Sequence, residues 1–260
     1  MRKLLLERIL ELEIEYVKMF SEVNEGDIKI TCTDSEIPDM YTHNFVYYKQ
    51  KDGLFEFIVD ELNKKETKAK GFFRIETSFR IDSDLIEKLP VQPEVCQYDV
   101  MAIETRKYKQ LNGNIDGYVK NVCRDQKVLE DGIAVDIDAS QSEMGLDFAT
   151  RRIHRKSHEY KDPQKTIQLF VGYDRETPVG NIEYMPYNGM VKLEDFKIIE
   201  DYQRKGFGTT MLKLLLEKAM NDGIEHAYLI TESLDTAQDM YRKCGFEKVG
   251  EKTELLFFLK

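Results

Sequence analysis

The sequence predicts an α/β (α+β) protein: a C-terminal mixed, mainly antiparallel sheet flanked by helices, joined to an N-terminal part of mixed α/β character. Three observations carry this reading. Apolar residues recur at three- and four-residue steps in some stretches and alternate in others. A strand, a glycine-containing loop and a helix follow one another between about residues 191 and 220. The 15 Gly and 6 Pro of the 260 residues are dispersed, so neither a long linker nor a disordered arm is expected.

Residues 1–23 place Leu6, Ile9, Leu10, Ile14, Val17 and Phe20 on one stripe with charged residues between them, the pattern of an amphipathic helix. Asn24-Glu25-Gly26-Asp27 reads as the turn that ends it. Residues 28–32 and 71–76 read as strands, and 54–63 and 84–89 as helices. Pro90 and Pro93 bracket a loop, residues 97–103 form a further strand, and Leu111-Asn112-Gly113-Asn114 is a turn. Gly113, Gly117 and Gly132 then punctuate a stretch without a long apolar period. The domain boundary is placed there, giving residues 1–125 and 126–260. Beyond it come a helix over 147–160, strands over 166–173 and 178–184 joined at Asp174-Arg175-Glu176-Thr177 as an antiparallel hairpin, and a strand over 191–199.

Charge and cysteine usage narrow the function classes. With 38 Lys+Arg against 48 Asp+Glu the net charge is -10, which argues against nucleic-acid backbone binding and favours a cationic partner. Glu7 and Arg8 interrupt the N-terminal leucines, and no apolar run approaches the roughly 20 residues a membrane span needs, so no membrane partner is expected. Cys32, Cys96, Cys123 and Cys244 lie far apart without a CxxC, which reads as four reduced thiols in a cytoplasmic protein. His154 and His158 share a helix face at metal-ligand spacing but lack a third ligand, and are read as solvated. The island Arg151, Arg152, Arg155, Lys156 and Lys161 is likewise read as a solvated face.

The chemistry concentrates in Gln203-Arg204-Lys205-Gly206-Phe207-Gly208-Thr209-Thr210 and the helix after it, where Leu212, Leu215, Leu216 and Ala219 share one face and Asn221-Asp222-Gly223 ends the run. A loop there turns backbone N–H groups and the positive end of a helix dipole toward one point, as a pyrophosphate requires. A tight turn would need the same glycines without any ligand. Neither GxxxxGK followed by Ser or Thr, nor GxGxxG with an acid about 20 residues on, is present.

Gln203-x-x-Gly206-x-Gly208 resembles the (Gln/Arg)-x-x-Gly-x-(Gly/Ala) signature of the GNAT superfamily of N-acetyltransferases. A second segment, Asp235-Thr236-Ala237-Gln238-Asp239-Met240-Tyr241-Arg242-Lys243-Cys244-Gly245-Phe246, is similar to that superfamily's Ala-x-x-(Leu/Met)-Tyr-x-Lys-x-Gly-Phe. The resemblance covers roughly residues 130–260. The first half matches no motif, and a degenerate copy of the same fold is one reading of it.

The resemblance implies acetyl-CoA as co-substrate. Gln203, Arg204, Lys205, Gly206, Phe207, Gly208 and Thr209 would hold its pyrophosphate, and backbone groups of Ile198 and Ile199 its pantetheine arm. It also implies that Tyr241 protonates the leaving thiolate, a role a phenol of reference pKa about 10 suits. Glu194 would act as base through water, with Asp195 the alternative, since strand alternation lets one of them face the cleft. The expected acceptor is a primary amine of a small molecule or a peptide. The rival reading is a noncatalytic acyl-CoA-binding or regulatory module. Asp235 and Gln238 are expected as N-cap and N3 of the last helix, and Cys244 as packing.

Overall fold

Residues 2–123, 125–234 and 236–259 are described by a computed structural model of the chain. The first half runs α1 (Arg2–Lys18), β1 (Glu22–Glu25), β2 (Lys29–Thr33), β3 (Val46–Tyr48), α2 (Leu54–Asn63), α3 (Lys65–Lys70), β4 (Phe72–Thr77), α4 (Ser83–Glu87) and β5 (Glu94–Glu104). Then come β6 (Gly117–Asn121), α5 (Gln126–Met144), α6 (Leu146–Lys161), β7 (Gln168–Asp174), β8 (Thr177–Tyr187), β9 (Met190–Ile198), α7 (Phe207–Asn221), β10 (His226–Glu232), α8 (Ala237–Lys243) and β11 (Glu247–Phe258). Asp235, expected as a helix cap, lies outside the described residues.

All the described strands join one sheet in the order β1-β2-β3-β4-β11-β5-β10-β9-β8-β7-β6. Its pairings repeat. In the first half β1, β2 and β3 are successively antiparallel and β3 is parallel to β4. In the second half β7, β8 and β9 are successively antiparallel and β9 is parallel to β10. Each series is completed by the last strand of the other half. β11 lies against β4, β5 lies against β10, and the two pair antiparallel at the centre. The N-terminal half is thus a degenerate copy of the C-terminal one in topology, related to it by a pseudo-twofold axis through β5 and β11.

Helices α1, α5 and α6 cover one face, with Leu12, Leu129, Ile153 and Tyr228 in its core. Against the other face Leu212, Leu215 and Leu216 of α7 and Tyr241 of α8 pack in one cluster, and Leu54 and Ile58 of α2 in a second. The amphipathic stripe read over residues 1–23 is this α1, but the helix stops at Lys18, and Asn24 and Glu25 belong to β1 rather than to a turn.

The stretch read as having no long period contains α5, a 19-residue helix. Its start is set by Asp125, whose carboxylate accepts the N–H groups of Lys127 (3.0 Å) and Val128 (3.2 Å). Its apolar period is broken because the buried face carries Asp131, Gly132 and Asp136. Gly132 is there for clearance: a Cβ would lie 3.0 Å from Leu169 and Val171 of β7. The basic island on α6 is a solvated face only in part: Arg151 and Lys161 are exposed and Arg155 is half-buried. Arg152 and Lys156 are 6% and 2% exposed, drawn inward by buried carboxylates, whereas His154 and His158 are exposed.

Candidate active site

Strands β9 and β10 pair in parallel over only three residues each, ending at Tyr228↔Lys192. Beyond that point β10 continues along β5 to Glu232 and β9 continues along β8 to Ile198, so the two diverge and open a notch. The divergence is accompanied by a bulge. The β8–β9 register shifts between Asn181↔Lys197 and Glu183↔Glu194, and Asp195 takes the left-handed region at φ 49.

The bulge breaks the strand alternation expected at residues 194 and 195, and the two carboxylates go to different partners. Asp195 is bound by the Arg152 guanidinium at 2.9 Å and by Lys156. Burial alone would raise its pKa, but Arg152, Lys156 and Lys197 outweigh that and hold the carboxyl well below the usual range. Glu194 lies 3.0 Å from the Lys192 ammonium. Burial raises its pKa, Lys192 opposes, and the neighbouring Glu13 and Asp195 carboxylates push it further up, leaving a net rise. Of the two candidates, Glu194 therefore has the poise of a proton acceptor and Asp195 that of a fixed anion.

Two residues that sequence reasoning missed complete this cluster. Glu13 on α1 accepts hydrogen bonds from Lys192 and, at 2.8 Å, from the Tyr228 hydroxyl. Neither Glu13 nor Lys192 stands in a motif, and their meeting across 179 positions leaves no local signal in the chain.

The glycine loop enters the notch from the end of β9. Gly206 is the N-cap of α7 at φ 87, and Arg204 is also left-handed at φ 57. A side chain at Gly206 would come within 3.0 Å of the Asn114 backbone nitrogen. The turn at 111–114 holds the loop: Asn114 N–H donates to the Gly206 carbonyl (3.3 Å), its side-chain amide to the Lys205 carbonyl (3.1 Å), and Thr210 Oγ1 donates to the Asn114 carbonyl (2.9 Å). Among the described residues, the backbone N–H groups of residues 204–209 make no backbone–backbone hydrogen bond outside the helix itself. Backbone donors at the start of a 15-residue helix make a cradle for a polyanion.

Gln203, Arg204 and Lys205 are exposed, Gly206 and Thr209 partly so, and Phe207 and Gly208 are buried. The Gln203 side-chain amide donates to the Ile198 carbonyl at 3.0 Å, tying the loop to β9. The Ile199 N–H donates to the Val179 carbonyl at 2.9 Å and so stays within the sheet pairing. A Cβ on Gly208 would lie 3.2 Å from Met240 Sδ, so this glycine lets α7 approach α8. Tyr241 follows on α8, 7% exposed, its ring edge-on to Phe246 at 5.9 Å. Gln238 does not complete a capping box. Its amide donates to Asp99 of β5 at 2.7 Å, beside Ser233 at 2.8 Å. Cys244 is buried, as expected of packing.

Two parallel strands that part at a bulge, with a glycine-capped helix leading out of the gap, make up a fold of the GNAT type. Residues 137–246 match the Acetyltransferase (GNAT) family model. Over 247 residues the chain is 24% identical to the uncharacterized N-acetyltransferase CgeE of Bacillus subtilis, covering 91% of this chain and 92% of that protein. In structure it is similar to a conserved protein of unknown function from Staphylococcus epidermidis (TM-score 0.77, 22% identity, 92% of this chain and 95% of that one). It is also similar to a GCN5-related N-acetyltransferase from Kribbella flavida (TM-score 0.67, 12% identity, 96% and 94%). Both likenesses extend across the two halves.

Proposed function

We propose that the protein is an acetyl-CoA-dependent N-acetyltransferase that moves an acetyl group directly onto a primary amine of a small molecule or peptide. The observation that carries this reading is the row of N–H groups at residues 204–209, which make no backbone–backbone hydrogen bond outside the helix and follow the strand that borders the β9–β10 notch. That row suits a pyrophosphate, and a notch beside it suits an extended pantetheine arm. With Ile199 N–H engaged by Val179, the strand's contribution to that arm falls to Ile198.

In this mechanism the acceptor ammonium gives one proton to Glu194, directly or through water, and the freed nitrogen lone pair attacks the thioester carbon. The C–S bond breaks as the C–N bond forms, and the departing thiolate takes the Tyr241 hydroxyl proton. The second proton lost by the nitrogen restores Tyr241, and Glu194 returns its own to solvent. Overall, acetyl-CoA and an ammonium become amide, CoA thiol and one proton. A cytoplasmic setting belongs to the same reading, supported by four free thiols. Among the described residues, no helix is long and apolar enough to cross a membrane.

Calorimetric titration with acetyl-CoA tests the cofactor. Wild type should bind in the micromolar range, and Gly206→Glu should not, because it adds bulk beside Asn114 and negative charge in the cradle. Absence of wild-type binding at millimolar acetyl-CoA would overturn the reading. Binding without turnover on any amine would favour the noncatalytic module.

A further inference from the structure

We infer that the acceptor is an amine carried on an apolar chain or ring, housed in a cavity beneath α1; this rests on the acetyltransferase reading above and names its substrate class. The cavity measures about 310 Å³, at the small end of the roughly 300–1,000 Å³ of ligand pockets. Its walls are hydrocarbon: Ile9 and Ile14 of α1, Ile30, Phe45, Val100 and Ile230. Ile230 stands two residues past Tyr228, the last β10 residue paired with β9, so the wall begins where the notch opens.

The polar end of the cavity adjoins the proposed chemistry. Glu13 lines the cavity and binds the same Lys192 ammonium that lies 3.0 Å from Glu194. Two carboxylates around one ammonium leave a site of net negative charge when Glu194 is ionised, and such a site attracts an ammonium ion. Elsewhere the lining carries the carboxylates of Glu7, Glu76 and Glu251 against the ammonium of Lys252, so the cavity disfavours an anion. An alkyl or arylalkyl amine would bury its apolar body between α1 and the sheet and present its nitrogen at Glu13, which shares the Lys192 ammonium with Glu194. A polyamine or aminoglycoside would instead lay much of its polar length against walls that are mostly isoleucine, valine and phenylalanine, where each polar group loses its water.

The test is calorimetric titration of the full chain, without acetyl-CoA, with n-butylamine, n-hexylamine, n-octylamine, octanoate and spermidine. Affinity should rise about threefold to fourfold per added methylene along the amine series. Octanoate and spermidine should bind at least tenfold more weakly than n-octylamine. Ile14→Trp, which fills the cavity from α1, should abolish the chain-length dependence while leaving acetyl-CoA affinity unchanged. That unchanged affinity also reports that the variant is folded. Tighter binding of spermidine, equal binding of octanoate, or no dependence on chain length in the wild type would overturn the proposal. Thiol release from acetyl-CoA with the same amines separates the two readings. Turnover with spermidine but not n-octylamine refutes the cavity assignment and keeps the acetyltransferase. Chain-length-dependent amine binding in a protein that does not bind acetyl-CoA refutes the acetyltransferase reading and keeps the cavity as an amine site.

Discussion

At the residue scale the site rests on three side chains whose surroundings assign them different work. Tyr241→Phe removes the proposed proton donor while keeping the ring packed against Phe246, so kcat should fall by about 10²-fold with little change in acetyl-CoA affinity. Full turnover on a confirmed acceptor would remove Tyr241 from the mechanism. As the proposed base, Glu194 would work only when ionised, and its pKa is raised, so kcat/KM should decline on the acid side at a pH above the ordinary glutamate value of about 4.3. In Glu194→Gln that acid limb should vanish along with most of the rate. A limb that persists in the variant would belong to another group. Asp195 titrates the other way. Its carboxyl is held below its unfolded value, so its stabilisation is complete above about pH 4 and is lost as pH falls through the depressed value. Asp195→Asn strips the buried Arg152 and Lys156 of a partner, which should cost about 3–5 kcal/mol at pH 7. Thermal unfolding should show the gap to wild type narrowing toward pH 2.

At the element scale, segments far apart in the chain hold the loop in shape. Gly113 belongs to the turn that binds residues 205, 206 and 210, and a Cβ there would lie 2.2 Å from Thr210 Oγ1 and 2.7 Å from the Thr210 backbone. Gly113→Ala must therefore push the turn off the start of α7. It should weaken acetyl-CoA binding at least tenfold, although residue 113 is not one of the cradle donors; unchanged affinity would show that the loop keeps its shape without the turn. The cap of α5 is a milder case, and Asp125→Ala should cost about 1 kcal/mol in denaturant unfolding. Most elements were readable because their apolar residues keep a period of two or nearly four. α5 was not, because its buried face mixes Asp131, Gly132 and Asp136 with valine and leucine. β6 is short and polar and is recognisable only beside β7.

For the whole molecule, the exchange of last strands ties the halves together. Removing residues 1–111 would strip β10 of its β5 neighbour and β11 of both its neighbours, exposing strand edges in mid-sheet. The intact chain should thus unfold in one transition, and a 112–260 fragment should aggregate; two separate calorimetric transitions would contradict this coupling. The pseudo-repeat also sets the cofactor count. In the N-terminal copy Gly53 caps α2 at φ 73 as Gly206 caps α7, but Phe55 stands where Gly208 opens space in the C-terminal copy. One acetyl-CoA should bind per chain, and a titration stoichiometry of two would show the first loop to be functional.

By itself the sequence determined the glycine loop, the Tyr241 segment, their order, and the class of chemistry they resemble, because each is encoded in residues close together along the chain. Only the tertiary structure decided that Arg152 and Lys156 of α6 turn inward, that Asp195 is pinned by them while Glu194 lies beside Lys192, and that Glu13 from the first helix meets that same ammonium. Those outcomes depend on burial and on partners up to 215 positions away, which no local period or spacing records. The same holds for the shared sheet: which strand lies beside β10 is settled by how two copies exchange their last strands.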